Sequence, residues 1–348
     1  MNTTFFSEML QSIADRGRAL IQRREPARER SAGLVELCEA LLSGRGEASG
    51  VALASDILAR YEDLTIGPRI AFFETLATTF GPDRDGIEAA IAAWRQSPSD
   101  TTAVELHHAS EPRRLELFRR LNLAPGGTAA LVRMREELMD AMAHRDDLAL
   151  IDNDFVHLFS SWFNRGFLVL RRIDWSSPAI ILEKIIRYEA VHQIRDWDDL
   201  RRRIDPPDRR CYAFFHPALV DEPLIFVEVA LTREIPGAIA PILAVERDEV
   251  DPDKAATAVF YSISNCQRGL TGVSFGHFLI KQVAEEIART SAVMALEASA
   301  FRSRLSHWEK PGTGERVTKR DRRVFSRAIS SATCLIRKWP NETPVSPR

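Results

Sequence analysis

Apolar residues recur every third or fourth position through the first half of the chain. This spacing places them on one face of an amphipathic helix. Patterns of this kind cover residues 5–20, 34–42, 51–61, 70–80, 88–94, 111–121 and 131–142. They predict an all-helical N-terminal domain over residues 1–165. Because no group of catalytic residue types stands out there, packing or oligomerisation is its expected role.

The pattern changes near Gly166, where short apolar and β-branched runs begin to alternate with helical spacing. Three runs are typical of strands, at residues 167–170, 211–215 and 224–231. Ser177-Pro178 supplies an N-cap residue followed by a proline at the first helical position, which suits the start of a helix through Ala190. Strands mixed with helices predict an α/β or α+β domain over residues 166–289.

One stretch, from Val259 to Arg289, joins the elements around which the second domain is organised. Residues 259–263 are apolar, aromatic and β-branched, as in a buried strand. The loop that follows contains no proline and three glycines, which let its backbone approach another group closely: Gly269, Gly272 and Gly276. An amphipathic helix is predicted next, with apolar residues four positions apart at Phe275, Leu279, Val283 and Ile287.

A strand, a glycine-rich loop and a helix can together hold an anion. The first amides of a helix have no internal partner, and the helix dipole makes its N-terminus positive. The interpretation is a phosphate cradle at residues 267–277, to which Ser274 could add a hydroxyl. An ordinary tight turn stays open as an alternative, because short glycine patterns recur by chance. The glycine spacing differs from the dinucleotide fingerprint, and no P-loop lysine follows.

Composition and charge exclude several classes of function. The chain has 348 residues, enough for two domains, and its formal net charge is −2. A charge so near zero argues against electrostatic binding of nucleic acid. No apolar run approaches the length of a membrane span, and no signal core opens the chain. The four cysteines lack disulfide or metal-site spacing, so we expect a reduced, cytoplasmic protein without a bound metal.

The central stretch also resembles a known family. Three of its segments are similar to malonyl-CoA decarboxylases: Tyr261-Ser262-Ile263-Ser264, Gly272-Val273-Ser274-Phe275-Gly276 and Phe278-Leu279-Ile280-Lys281. Upstream segments share the resemblance, which covers about residues 70–289; they include residues 171–175, 182–186, 188–192 and 221–231.

The resemblance implies an α+β protein in which an all-helical N-terminal domain mediates subunit contacts and precedes a GNAT-like acetyltransferase-type α/β domain. In such folds the loop after the fourth strand binds the pyrophosphate of coenzyme A, in agreement with the phosphate cradle. The implied malonyl-CoA-binding residues are Thr271, Gly272, Val273, Ser274, Phe275, Gly276 and His277, supported by Ser262, Gln267 and Gly269. The implied reaction converts malonyl-CoA to acetyl-CoA and carbon dioxide, with no cofactor, in a cytoplasmic homo-oligomer.

The serine and histidine that catalyse the family's reaction have no counterpart in the sequence. The serine lies in a Ser-Pro-x-Pro-Gly-Phe motif soon after the helix that here ends near Arg289, and the histidine in a Phe-His-Leu-x-Asn-Gly-Ala motif. Residues 290–348 contain neither motif. No catalytic residue is therefore assigned, and the second domain is expected to be incomplete at its C-terminus. A frameshift or premature stop would leave residues 290–348 as a divergent basic tail and would expose a sheet edge.

Two other functions stay open. The missing motifs favour a catalytically inactive acyl-CoA-binding or oligomerising remnant of the family. A GNAT-like acyltransferase with an amine acceptor could use the same loop. Two further residues have structural interpretations: Ser262 as a core hydroxyl, and His192 as a partner of a helix C-terminus.

Overall fold

A computed structural model describes residues 33–44, 46–273, 278–290 and 334–337. They divide into two units, one formed by residues up to 162 with 218–220, and the other by residues 163–217 with those from 221 onward. The first unit holds the helical patterns and the second the mixed pattern, so the α+β prediction is confirmed. No helix of the described residues is long and apolar enough to cross a membrane.

The regular elements among the described residues of the first unit are all helical. A 3₁₀ turn at Asp146–Leu148 precedes its last helix. The helices are α1 (Leu34–Leu42), α2 (Glu47–Glu62), α3 (Ile66–Thr78), α4 (Arg84–Gln96), α5 (Asp100–Ser110), α6 (Arg113–Leu121), α7 (Gly127–Ala141) and α8 (Ala149–Trp162).

Aromatic side chains fill the core of this helical unit. Phe118 stacks on Phe155 with ring centroids 4.3 Å apart, and Phe155 contacts Phe159 at 5.5 Å. All three side chains are fully buried. Arg114 is also buried, and its Nε lies 2.5 Å from a carboxylate oxygen of Asp154. The pairing follows from the burial, because an unpaired charge in a core is strongly destabilising.

The second unit is built on one antiparallel sheet with the strand order β1-β2-β3-β4-β5. The strands are β1 (Val169–Ile173), β2 (Arg209–Phe215), β3 (Pro223–Thr232), β4 (Thr257–Asn265) and β5 (Cys334–Arg337). The helices are α9 (Ala179–Tyr188), α10 (Trp197–Ile204), α11 (Ala240–Leu243) and α12 (Phe278–Thr290). Short 3₁₀ turns lie at Arg165–Phe167, Pro252–Lys254 and Arg268–Leu270.

The middle of the sheet is covered on both faces. Every residue of β3 from Pro223 to Leu231 is buried, which explains its nearly continuous apolar sequence. One face of the sheet packs against α9 and α10. The buried residues of this contact include Ile181, Leu182, Ile185, Leu200, Ile204, Cys211, Ala213 and Phe226. Glu228 interrupts the apolar run of β3 at the centre of the sheet.

β4 carries a bulge in its middle. Glu228 of β3 lies opposite Ser262 and Val229 lies opposite Phe260, so Tyr261 is the extra residue. On the other side of β4, its residues 257–260 pair with the described residues of β5. A strand after Arg289 thus covers part of the edge that was expected to be exposed. No strand of the described residues pairs with the outer side of residues 261–265.

Candidate functional site

A buried carboxylate ties the end of α9 to the middle of β4. Glu189, the residue after α9, lies with both carboxylate oxygens 2.8 Å from the Ser262 hydroxyl, and Ser264 donates a hydrogen bond of 3.1 Å. The amides of Val191 and His192 donate to the same carboxylate at 2.9 and 2.7 Å. Four donors therefore offset the cost of burying this charge. Ser262 lies at the centre of this buried cluster, and its expected support of the malonyl-CoA site stays a prediction.

The turn that follows Glu189 is held from its other side by an arginine of α10. Arg203 donates to the carbonyl oxygens of His192 and Gln193 at 2.6 and 2.9 Å. It also donates to Glu228 at 3.3 Å. The turn of residues 189–193 is thus bound through its amides by Glu189 and through its carbonyls by Arg203. Its backbone is preorganised against the sheet.

Glu228 is the most deeply buried carboxyl group of this cluster, with no exposed surface. Burial raises its pKa to about 8, and the charge of Glu189 adds to the rise, whereas Arg203 lowers it. A carboxyl group with this pKa is largely protonated at neutral pH. Glu228 is also the cross-strand neighbour of Ser262. The two carboxyl groups that flank Ser262 therefore differ in environment: four donors bind Glu189, whereas Arg203 and the Tyr261 hydroxyl are the groups that lower the pKa of Glu228.

The bulge residue Tyr261 completes the cluster. It is buried, and burial raises the pKa of its hydroxyl well above the ordinary value, with the charge of Glu228 as a second cause. In the part of the chain that the structure describes, three of the cluster's buried polar atoms form no hydrogen bond of ordinary geometry: Tyr261 OH, Glu228 Oε1 and Arg203 Nε. The Tyr261 hydroxyl nevertheless lies close enough to Glu228 to lower the pKa of that carboxyl group. Buried polar atoms without a well-formed hydrogen bond are uncommon in folded proteins.

A second polar group anchors the glycine-rich loop at its start. Gln267 donates to the carbonyl oxygen of Pro223 at 3.1 Å and to Glu222 at 3.4 Å. The Nζ atom of Lys184, on α9, lies 2.7 Å from Oε1 of Glu222. The Tyr188 hydroxyl lies 3.4 Å from Oε2, the oxygen that also accepts from Gln267. Glu222 therefore connects the loop with α9 and with the start of β3. Gln267 therefore ties the start of the loop to β3, and its part in binding malonyl-CoA stays a prediction.

The loop itself is a 3₁₀ turn followed by a left-handed glycine. The amides of Leu270, Thr271 and Val273 donate to carbonyl oxygens inside the loop at 3.1, 2.9 and 3.0 Å. These three amides are therefore not free to bind a phosphate. Gly272 has a φ of +84°, and a Cβ there would meet nothing within 4 Å. Glycine is therefore favoured at this position because of the positive φ, and there is open space beside its Cα atom.

The structure describes only part of the expected binding segment. Thr271 and Gly272 are exposed, whereas Val273 and Gly269 are buried. Ser274, Phe275, Gly276 and His277 lie outside the described residues. α12 begins at Phe278, so the described part of the loop leads towards a helix N-terminus, as the sequence predicts.

Three residues of the buried cluster were not singled out from the sequence: Glu189, Arg203 and Glu228. Glu228 could have been noticed in the sequence, since a lone carboxylate in a long apolar strand must be paired or protonated. No local pattern marks Glu189 or Arg203, because the side chains that they contact on the strands are distant in the chain. Among the described residues no group of three or more side chains is arranged to hold a metal ion.

Comparison with protein families gives two adjacent matches. The N-terminal domain of malonyl-CoA decarboxylase matches residues 80–163, and its C-terminal domain matches residues 166–331. The second match extends past Arg289, where the motifs recognised in the sequence end. The chain is 36% identical to the mitochondrial malonyl-CoA decarboxylase of Anser anser anser over 255 residues, which are 68% of this chain and 50% of that protein. It thus spans about half the length of the curated relatives it matches.

Solved structures of malonyl-CoA decarboxylases are also similar to this chain. A malonyl-CoA decarboxylase from Rhodopseudomonas palustris is 57% identical, with a TM-score of 0.72 over 80% of this chain and 70% of that one. Another from Agrobacterium vitis is 52% identical, with a TM-score of 0.73 over 84% and 72% of the two chains. At this identity and coverage the likeness extends to sequence and fold together, and this chain belongs to the malonyl-CoA decarboxylase family.

Proposed function

We propose that the chain binds malonyl-CoA and converts it to acetyl-CoA and carbon dioxide. The observation that carries the proposal is the 57% identity to a structure named malonyl-CoA decarboxylase, across 80% of this chain. The match to the family's C-terminal domain covers residues 166–331, which include the buried cluster and the loop. The reaction class is that of a carboxy-lyase.

The binding site of this proposal runs from the glycine-rich loop back along β4. We place the pyrophosphate of the substrate at Thr271, Gly272, Val273, Ser274, Phe275, Gly276 and His277. Because the amides of Thr271 and Val273 donate within the loop, these two residues would contact the pyrophosphate through other atoms. The pantetheine arm of the substrate follows the outer side of residues 261–265, where no described strand competes for the backbone. Five strand residues span about 16 Å, comparable with the extended arm. The thioester then lies near the bulge at Tyr261.

The chemistry of decarboxylation fits such a site without a metal or organic cofactor. When the carbon–carbon bond breaks, carbon dioxide leaves and its electron pair moves through the α-carbon into the thioester carbonyl. The site must stabilise the resulting enolate with hydrogen-bond donors and then supply a proton to carbon. Backbone amides of residues 261–265, whose outer side no described strand pairs with, are suitable donors.

Two measurements on the purified 348-residue chain test the proposal. The first is the dissociation constant for malonyl-CoA by calorimetry, with malonate as the control ligand. The second is carbon dioxide release, beside the Rhodopseudomonas palustris protein as the active reference. Binding and release together are the expected result. Absence of both would contradict the proposal, and binding without release would support an acyl-CoA-binding protein instead.

We also propose that the chain forms homo-oligomers through its helical unit. The support is that α5 buries none of its residues within the chain and α4 buries only Ala90. Light scattering after size exclusion should give a mass above that of one chain. A monomer at micromolar concentration would contradict this proposal.

A cytoplasmic location is proposed on cysteine chemistry. Cys38, Cys211 and Cys266 are free and buried, and burial raises the pKa of each thiol. Such thiols are unreactive and consistent with a reducing compartment. Cell fractionation with an antibody to this chain tests the location, and recovery from an organelle fraction would contradict it.

A further inference from the structure

The guanidinium of Arg203, on α10, lies between two sets of acceptors. Its Nη1 atom is 2.6 Å from the carbonyl oxygen of His192 and 3.3 Å from Oε2 of Glu228. Its Nη2 atom is 2.9 Å from the carbonyl oxygen of Gln193 and 3.6 Å from Oδ2 of Asp199. In both cases the shorter distance is to a neutral carbonyl group. The guanidinium is therefore oriented towards the turn of residues 189–193 rather than towards Glu228.

This orientation is the one expected beside a neutral Glu228. Hydrogen bonds from arginine to an ionised carboxylate are usually about 2.7–2.9 Å long and often come in parallel pairs. Glu228 is fully buried, yet its bond with Arg203 is single and 3.3 Å long. Arg203 Nε and Glu228 Oε1 form no hydrogen bond of ordinary geometry. The two facing side chains thus keep a spare donor and a spare acceptor, which a second bond between them would use.

The surroundings of Glu228 also favour its neutral form. Burial raises its pKa to about 8, and the charge of Glu189 adds to the rise, whereas Arg203 and the Tyr261 hydroxyl lower it. A tyrosine hydroxyl both donates and accepts, so Tyr261 can serve the carboxyl group in either protonation state. Glu228 therefore changes its charge at mildly alkaline pH.

The other charged and titratable groups around Glu228 come from the turn after α9, from α10, and from strands β2 and β4. Burial raises the pKa values of Cys211 and Tyr261 well above their ordinary range, so both side chains stay neutral while Glu228 titrates. The groups are Glu189, His192, Asp199, Arg203, Arg209, Cys211 and Tyr261.

The turn of residues 189–193 can give up its bonds with Arg203 without burying unpaired groups. Val191 and His192 are partly exposed and Gln193 is exposed, so the two carbonyl oxygens can bind water once they are released. The turn also contacts β4, because the amide of Ala190 donates to the Ser264 hydroxyl at 3.3 Å. A change in the turn therefore reaches the strand next to Glu228.

We propose that Arg203 is a switch with two positions, set by the charge of Glu228. With Glu228 neutral, the guanidinium binds the carbonyl oxygens of His192 and Gln193 and holds the turn. With Glu228 ionised, it rotates to form two parallel hydrogen bonds with the carboxylate. The guanidinium is planar and rigid, so this rotation moves its N–H groups off the two carbonyl oxygens. Residues 189–193 are thereby released at mildly alkaline pH, whatever reaction the protein catalyses.

Hydrogen exchange of the wild-type chain without ligand tests the switch. The measurement is made at about pH 6.5 and about pH 9.5, on either side of the Glu228 titration, with rates corrected for intrinsic exchange. The amides of Ala190, Val191 and His192 should exchange at least about tenfold faster at the higher pH, because bonds from a charged donor to the turn are lost. The midpoint of the change should lie near pH 8.

The amides of β3 provide the internal reference, since they lie in the buried centre of the sheet and report global unfolding. At the higher pH the amides of the turn should exchange faster than those of β3, through local opening. Amides of the turn that match those of β3 at both pH values would overturn the switch, because the alkaline effect would then be global. Unchanged exchange of the turn would overturn it as well.

Two matched variants identify the titrating group. Glu228→Gln cannot ionise and keeps an oxygen acceptor for Arg203, so its turn should be equally protected at both pH values. Glu183→Gln, whose wild-type side chain is 60% exposed on α9, should behave like the wild type. Glu189 and His192 remain in both variants, so an alkaline loss of protection in Glu228→Gln equal to that of the wild type would overturn the role of Glu228. Malonyl-CoA is absent throughout, so the proposed function is not at issue in these experiments.

Discussion

Gly272 shows how a single backbone angle shapes the loop. Its φ of +84° lies in the left-handed region, and the space around a Cβ is open. A larger residue would therefore fit but would be strained. The strain of a left-handed residue is about 1–2 kcal/mol. This glycine can be tested without the ambiguity of a steric clash.

We expect Gly272→Ala to lower the free energy of unfolding by about 1 kcal/mol and to weaken malonyl-CoA binding about fivefold. Urea unfolding and calorimetry measure the two effects. The matched control is Gly237→Ala, since Gly237 also has open space but no left-handed φ. Equal effects of the two substitutions would show that backbone conformation at Gly272 is unimportant.

The raised pKa of Glu228 predicts that the free energy of unfolding decreases as the pH rises. Its folded-state pKa of about 8 lies above the ordinary value of 4.5 for a glutamate. Between these values the folded state holds a proton that the unfolded state has lost, so stability falls as pH rises from about 5 to 8. The folded protein is thus more stable when Glu228 is protonated.

Glu228→Gln should remove this dependence, because the amide imitates the protonated acid and does not titrate. Between pH 5 and 8, the unfolding free energy of the wild type should fall by about 3 kcal/mol relative to the variant. Urea unfolding followed by tryptophan fluorescence at each pH measures the difference. Parallel curves for the two proteins would mean that Glu228 is ionised in the folded state at all these pH values.

At the scale of elements, the junction of α9 with β4 depends on one carboxylate. Glu189 accepts hydrogen bonds from two serines of β4 and from two amides of its own turn. Its removal would leave these buried donors without an acceptor. A donor left unsatisfied in a core costs about 1–3 kcal/mol. The position of α9 against the sheet is thereby coupled to the shape of the turn that carries His192.

Glu189→Ala should therefore lower the unfolding free energy by about 3 kcal/mol. Glu183→Ala is the matched control on α9, since the Glu183 side chain is 60% exposed and forms only an i,i+4 pair with Arg187 at 3.4 Å. It should change stability by less than about 0.5 kcal/mol. Denaturant unfolding of both variants provides the comparison, and a small loss for Glu189→Ala would contradict the bridging role.

At the scale of the whole molecule, the chain separates into two units, and the proposed ligand site lies in only one. A ligand that binds the folded state stabilises it by mass action. Malonyl-CoA at 100 times its dissociation constant should raise the unfolding free energy of the sheet unit by about 2.7 kcal/mol. Hydrogen exchange should show this protection in residues 163–290 and not in α1–α8. Uniform protection across both units would contradict a site confined to the sheet unit.

Much of the fold followed from periodicity, because apolar spacing depends only on residues near one another in the chain. The strand predicted at residues 259–263 lies within β4, and the run 224–231 lies within β3. The strand predicted at 167–170 was displaced, since a 3₁₀ turn occupies Arg165–Phe167 and β1 starts at Val169. Pairing with β2 decided that boundary, and no local pattern contains this information.

The glycine-rich loop and the family resemblance were visible in the residues themselves, because both reside in contiguous motifs. The buried cluster was not visible, because its members are far apart in the chain: Glu189 and Ser262 are separated by 73 positions, and Arg203 and Glu228 by 25. Burial and pairing arise only when the sheet and helices assemble. Local order can be read from neighbours, whereas the protonation of Glu228 and the placement of His192 depend on which distant groups folding brings together.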